Sequence, residues 1–230
     1  MNREFLLDSL DGLKTLVFQL LPAEVAGSVA CVPMTTDGPW NEAEKTLFET
    51  VIGIPRERTH WAPGGFPNVP AAANQNARSR WVQALAAVKE RYLFLDPDTG
   101  FHEHHTGRSE KMVLVSELAE MLRMREAVVI YRHQYWPKSN YDDIPPHTYP
   151  YVWHGLRLLT GAGLFAFAYQ SQSASFFFVS QKRVWLAPFE SGLRLAMSGI
   201  SSFIVERRLV SVSRQDRIRW RQALGRSRSQ

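Results

Sequence analysis

The sequence predicts an α/β protein: a Rossmann-like, three-layer fold with a mostly parallel sheet and an antiparallel hairpin near its C-terminal end. Three observations carry this. First, Arg91–Leu95 and Ala127–Tyr131 are short, continuous apolar runs, the pattern of strands covered on both faces. Second, such runs alternate with segments of helical periodicity, which implies crossover connections and parallel neighbours. Third, Leu164–Tyr169 and Ser175–Val179 are two apolar runs joined by the polar Gln170–Ser173, the pattern of a hairpin.

The elements follow in chain order. A helix is expected over 11–21, stopped by Pro22. Ser28–Met34 is a β-branched apolar run between turn residues and reads as a buried strand. Asn41–Ile52 reads as a helix. Residues 53–76 contain four prolines and three glycines, which makes them a long irregular loop. Arg78–Glu90 is an amphipathic helix, and the strand after it runs into Asp96-Pro97-Asp98-Thr99-Gly100. Val113–Met124 is a further helix, 134–150 is irregular, and Tyr151–Leu159 is a helix closing at Gly161. One or two helices are expected over 187–224. No internal repeat interrupts this order, so the division is one α/β domain over 1–205 and a basic, arginine-rich helix or tail over 206–230.

Composition narrows the function classes. No run approaches the roughly 18 apolar residues of a membrane-spanning helix. The first residues lack a signal-peptide layout, so a cytoplasmic protein is the expectation. The single cysteine, Cys31, sits in an apolar run and reads as a core residue. The net charge of +5 is uneven: residues 206–230 hold eight arginines against Glu206 and Asp216, a net +6, which leaves −1 for the rest. Such an end suits phosphate neutralisation, so Arg207, Arg208, Arg214, Arg217, Arg219 and Arg221 are candidate contacts to DNA or RNA.

Ligands of open α/β sheets bind beyond the carboxyl ends of the strands. Three such ends here are polar: Asp37 follows the first strand, Asp96 and Asp98 the second, and Arg132 with His133 the third. A turn accounts for Pro97 and Gly100. It accounts less well for carboxylates directly after a buried strand, because desolvating them costs several kcal/mol unless they are paired. Lys111 is a further candidate, able to stabilise a developing anion. His102, His104 and His105 lie in a cluster whose spacing matches no standard closed metal site. Neither a G-x-G-x-x-G nor a P-loop motif occurs.

Taken in order, the motifs resemble a largely uncharacterised family of small bacterial and phage proteins built around a DPDNG motif, with Thr99 where that family has Asn. Its opening D-x-x-D-x-x-K pattern is met by Asp8, Asp11 and Lys14, and its L-T-P-D-E-G-like turn by Met34–Gly38. Its S-K-Y-V-x-x-x-E-L segment is matched by Lys111, Val113, Glu117 and Leu118. Its Y-x-H strand end is Tyr131–His133, and its late S-x-x-F-F strand is Ser173–Phe177. The likeness spans about 8–180 and implies a methyltransferase-like Rossmann layout. It implies S-adenosylmethionine as cofactor, with Asp37 on the ribose and Asp8, Asp11 and Lys14 lining the pocket. Asp96 and Asp98 would then position an acceptor on nucleic acid or a nucleotide, with His133 as general base. The alternative is a nuclease or phosphoesterase in which Asp96 and Asp98, with Asp37 or Asp11, hold Mg²⁺ or Mn²⁺ beside Lys111 and His133. A third reading is a non-catalytic binder of a ligand or nucleic acid.

Overall fold

The computed structural model describes residues 9–34, 40–61, 79, 82–83, 85, 88–97, 100–103, 112–133, 150–170, 174–198 and 208–211. Helix α1 spans Ser9–Gln19 and the single turn α2 spans Ala23–Ala26. Strand β1 is Val29–Pro33, followed by helix α3, Glu42–Ile52. Strand β2 is Tyr92–Asp96, and the short β3 and β4 are Phe101–His102 and Val113–Leu114. Helix α4 is Val115–Met121, β5 is Ala127–His133 and α5 is Pro150–Gly161. The hairpin is β6, Phe165–Gln170, with β7, Ala174–Ser180; α6, Ala187–Ser198, and β8, Arg208–Ser211, close the order.

Six strands form one sheet in the order β1-β2-β5-β7-β6-β8. The β1–β2 and β2–β5 ladders are parallel, and the remaining three are antiparallel. It follows that β1, β2, β5 and β6 share one direction while β7 and β8 run against them. The hairpin does not simply extend the edge, because its second strand docks on β5. All seven residues of β7 are buried, as its unbroken Phe176-Phe177-Phe178-Val179 run requires. Full burial of each such ring contributes about 1.5–3 kcal/mol.

Strand residues alternate between two cores, one on each face. Cys31, Phe94, Val129, Tyr131, Phe176 and Phe178 face α1, α3 and α6 through Val17, Phe18, Phe48 and Phe189. Val32, Leu95, Ile130, Phe177 and Val179 face α4 and α5 through Leu118, Val152 and Leu156. Helices on both faces of a mixed sheet make the three-layer Rossmann-like arrangement the alternating pattern predicts. On the α5 face, small Ala30, Ala166 and Ala168 let the helix approach. A Cβ built on Gly155 would lie 2.8 Å from Phe177 Cε1 and 3.0 Å from Phe101 Cζ, so glycine is required where this helix meets the sheet.

Local chemistry sets several boundaries. Asn41 caps α3: its side chain accepts from the Glu44 N–H at 2.9 Å, and the Glu44 carboxylate accepts from the Asn41 N–H at 2.7 Å. Asn41→Ala should therefore cost about 1 kcal/mol in urea denaturation, whereas an unchanged midpoint would mean the box does not form in solution. The helix read over 78–90 is helical at Ser79, Val82, Gln83 and Leu85, and residues 88–90 are already irregular. Buried Arg125 stops it from the side, donating to the Val88 carbonyl at 2.7 Å and to that of Leu85. The helix read over 113–124 starts at Val115, because Val113 and Leu114 pair with Phe101 and His102. Of the loop read over 53–76, Arg56–Arg58 forms a 3-10 turn and Thr59 bridges to Cys31, which covers the outer side of β1. Cys31, the single cysteine of the chain, is fully buried, as its apolar run predicts.

The C-terminal segment departs from the reading of a helix or tail beginning at 206. Arg208–Ser211 is a strand, paired antiparallel with β6 through Tyr169↔Leu209 and Ala168↔Val210. The reason lies in Leu209-Val210-Ser211-Val212, where two β-branched valines flank Ser211 and favour a ladder over a helix. The arginines masked that preference.

The candidate site at the carboxyl end of the sheet

Helix α1 places its apolar stripe on the sheet through Val17, Phe18 and Leu21, all buried. One turn earlier on the same stripe stands Lys14, at the i−3 and i−4 position to Val17 and Phe18. A lysine there must enter the layer between helix and sheet, and Lys14 is only 3% exposed. Its ammonium donates to Asp96 Oδ2 at 2.8 Å, and Asp96 is 1% exposed. The same Nζ lies 4.3 Å from the ring centroid of Tyr131, a cation–π contact from the neighbouring strand. The carboxylate that the sequence places after a buried strand is thus paired, as its desolvation requires.

The backbone around the pair is regular. Asp96 is the last residue of β2, in register with Pro33, and its carbonyl accepts from the Met34 N–H at 3.2 Å. Leu95 is in register with Ile130, which sets Tyr131 beside Asp96. The three strand ends expected to converge are therefore neighbours, in the order β1-β2-β5.

Arg132 points to the opposite face. Its guanidinium carbon is 5.9 Å from the Phe101 ring and 5.7 Å from the Tyr151 ring, and its aliphatic stem crosses Gly100. Gly100 has φ +85°. Asp96 and Gly100 are accordingly held from opposite faces of the sheet, Asp96 by Lys14 and Gly100 by Arg132. On that second face Ser175 Oγ donates to the Tyr151 hydroxyl at 3.2 Å.

Among the described residues, Lys14 and Asp96 are two sequence candidates that the fold brings into contact. Asp11 lies one turn before Lys14 on α1 and His133 ends β5 opposite Ala174. Arg208 opens β8 opposite Gln170. Asp8, Asp37, Asp98, Lys111, Arg207, Arg214, Arg217, Arg219 and Arg221 lie outside the described residues, as do His104 and His105. Among the described residues no group of three or more histidine, cysteine or acidic side chains is placed to hold a metal ion. No helix among them is long and apolar enough to cross a membrane. Sequence reading did not single out Tyr131 or Tyr151 as site residues. The signal for Tyr131 was its period-2 relation to the core residues Ala127 and Val129; Tyr151 carried none.

The fold and site define a Rossmann-like α/β protein with a buried cation–carboxylate pair at the carboxyl edge of its sheet. Compared with models of known protein families and with curated proteins, the chain matches none.

Proposed function

We propose that the chain is an enzyme acting on nucleic acid or a nucleotide at the carboxyl edge of β1, β2 and β5, and that it transfers a methyl group from S-adenosylmethionine. The buried Lys14–Asp96 pair carries this reading. A buried ion pair is weak as a stabiliser, since apolar replacements of similar volume are often neutral or better. A charged pair kept at the edge where such sheets bind ligands is better accounted for by a site that needs a carboxylate in a fixed orientation. The parallel strands followed by a hairpin agree with the methyltransferase-like layout that the motif order implies.

S-adenosylmethionine would supply an electrophilic methyl group. The cofactor pocket falls to Asp8, Asp11, Lys14 and Asp37, as the motif order implies. The Lys14 ammonium, which carries three N–H donors, also acts as a positioning group that holds one carboxylate oxygen of Asp96. Asp96 and Asp98 then accept hydrogen bonds from the acceptor group, and His133 takes its proton. The metal-dependent reading has less support at Asp96, whose Oδ2 already accepts from the Lys14 ammonium.

Titrating the full chain with S-adenosylmethionine in a calorimeter tests the proposal. Binding should raise the melting temperature by about 5–10 °C at a hundredfold excess over Kd. No heat and no shift at millimolar ligand would remove methyl transfer from consideration. Cleavage of DNA or RNA only with Mg²⁺ or Mn²⁺, abolished in Asp98→Ala, would replace it with the nuclease reading.

A further inference from the structure

We infer that Tyr131 is a positioning residue of the site: the face of its ring fixes where the Lys14 ammonium stands, and through it the orientation of the Asp96 carboxylate. The inference rests on the reading that Asp96 serves chemistry at the carboxyl edge of the sheet.

A lysine ammonium is a compact charge on a flexible four-carbon stem, so one contact to a carboxylate oxygen leaves it able to swing about that oxygen. Lys14 has a second fixed point. Its Nζ is 2.8 Å from Asp96 Oδ2 on β2 and 4.3 Å from the Tyr131 ring centroid on β5. These anchors stand on neighbouring strands and are both 1% exposed, so together they confine the ammonium where one alone would not. With water kept out, the attraction of a cation to an aromatic face is at the strong end of its range.

The ring is itself held. Tyr131 is in register with Phe176 on β7, and their rings meet at 5.4 Å with an inclination of 64°. Phe176 stacks in turn on Phe94 of β2 at 6.4 Å, and Phe94 meets Phe18 of α1 edge to face at 4.7 Å. Phe18 and Lys14 are one turn apart on α1, hence on one stripe. The row Phe94–Phe176–Tyr131 therefore receives the helix at both ends, through Phe18 at one and Lys14 at the other. The rings that bury the helix also set the place of its ammonium. It is the ring face of Tyr131 that meets Lys14, so a phenylalanine should serve in its place.

The test is lysine-selective heteronuclear NMR of the full chain, with Lys14→Met identifying the signal. It is joined to transfer of a labelled methyl group from S-adenosylmethionine to a random-sequence pool of DNA and RNA. Exchange of the Lys14 ammonium protons with water requires the pair to open. Tyr131→Leu should speed that exchange roughly tenfold or more, the equilibrium weight of a desolvated cation–π contact, and Tyr131→Phe should leave it within about twofold. Phe178→Leu is the control for packing: it empties an equally buried ring site in the same core, where the neighbouring rings are Phe167 and Phe189. It should lower stability and leave Lys14 exchange unchanged. Turnover at saturating S-adenosylmethionine should fall roughly tenfold to a hundredfold in Tyr131→Leu, the loss that a misplacement of about 1 Å brings, and be restored in Tyr131→Phe. Tyr131→Met, closer in volume to tyrosine, serves if Tyr131→Leu does not fold. Lys14 exchange unchanged in Tyr131→Leu and Tyr131→Met, or speeded equally by Phe178→Leu, overturns the positioning role. An equal effect in Tyr131→Phe also overturns it, by assigning the effect to the hydroxyl. Faster exchange with full turnover overturns the link to Asp96. A wild-type chain that transfers no methyl group overturns the methyl-transfer reading, and the exchange rates then decide the role of Tyr131 on their own.

Discussion

Lys14→Met should lower the unfolding free energy by about 3–5 kcal/mol, the usual cost of removing one partner of a buried pair. The methionine fills most of the space and keeps the apolar stripe of α1. The loss therefore comes from Asp96, left 1% exposed without the ammonium now 2.8 Å away. The Tyr131 ring loses its cation as well, a smaller contribution of about 0.5–2 kcal/mol. Asp96→Leu alone should be harmful for the converse reason, stranding Lys14. The double variant should recover much of the loss, since neither charge is then buried. Urea denaturation of the four proteins closes a double-mutant cycle with a coupling of about 2 kcal/mol or more, within the range seen for residues in contact. A Lys14→Met loss under about 1 kcal/mol, with additive single effects, would mean that the pair is not formed in the folded chain.

The same cycle separates stability from function. If the pair serves the site, the double variant folds well and fails to act on substrate. If the pair is merely tolerated, the double variant keeps activity. Function is then lost without loss of structure only in the first case, which is the outcome the proposed role of Asp96 requires.

How far the sequence went toward this site depends on the type of signal. Strand alternation made β1, β2 and β5 legible, because a strand buried on both faces needs an unbroken apolar run and these three have one. The hairpin was legible for the same reason. Its position between β5 and β8, with β7 against β5, was not, because pairing order is a long-range choice that no local pattern encodes. Asp96 stood out because a carboxylate after such a run must find a partner. Lys14 is a sequence candidate only as a pocket residue implied by the motif resemblance, not as the partner of Asp96, although a lysine on an otherwise apolar stripe with Val17, Phe18 and Leu21 is itself a readable anomaly. Strand β8 is poorly legible in the sequence, because its two or three apolar residues are too few to stand out in a segment of eight arginines. Arg132 was noted beside His133, yet its sandwich between Phe101 and Tyr151 joins residues 31 and 19 positions away, on separate elements, and no spacing announces it.

Gly100→Ala should cost about 3 kcal/mol, more than an ordinary glycine substitution. Two effects combine. At φ +85° an alanine pays about 1–2 kcal/mol for the left-handed conformation. The added Cβ would also stand 2.6 Å from Arg132 Cγ and 2.8 Å from its Cδ, and overpacking of this kind costs about 1–3 kcal/mol. Those atoms belong to the base of the side chain, which the Phe101 and Tyr151 rings hold, so Arg132 cannot simply swing away. Nor can the backbone shift freely, since the Gly100 carbonyl accepts from the Val113 N–H at 2.9 Å and anchors the β3–β4 ladder. Gly53 supplies the control: it has φ +72° and open space around its Cβ position, so Gly53→Ala should lose only the conformational part. The difference between the two variants in urea denaturation measures the Arg132 contact. Equal losses would show that Arg132 does not lie across the turn. A larger loss at Gly100 would show that the Arg132 stem lies across Gly100 in solution and must shift to admit the methyl group.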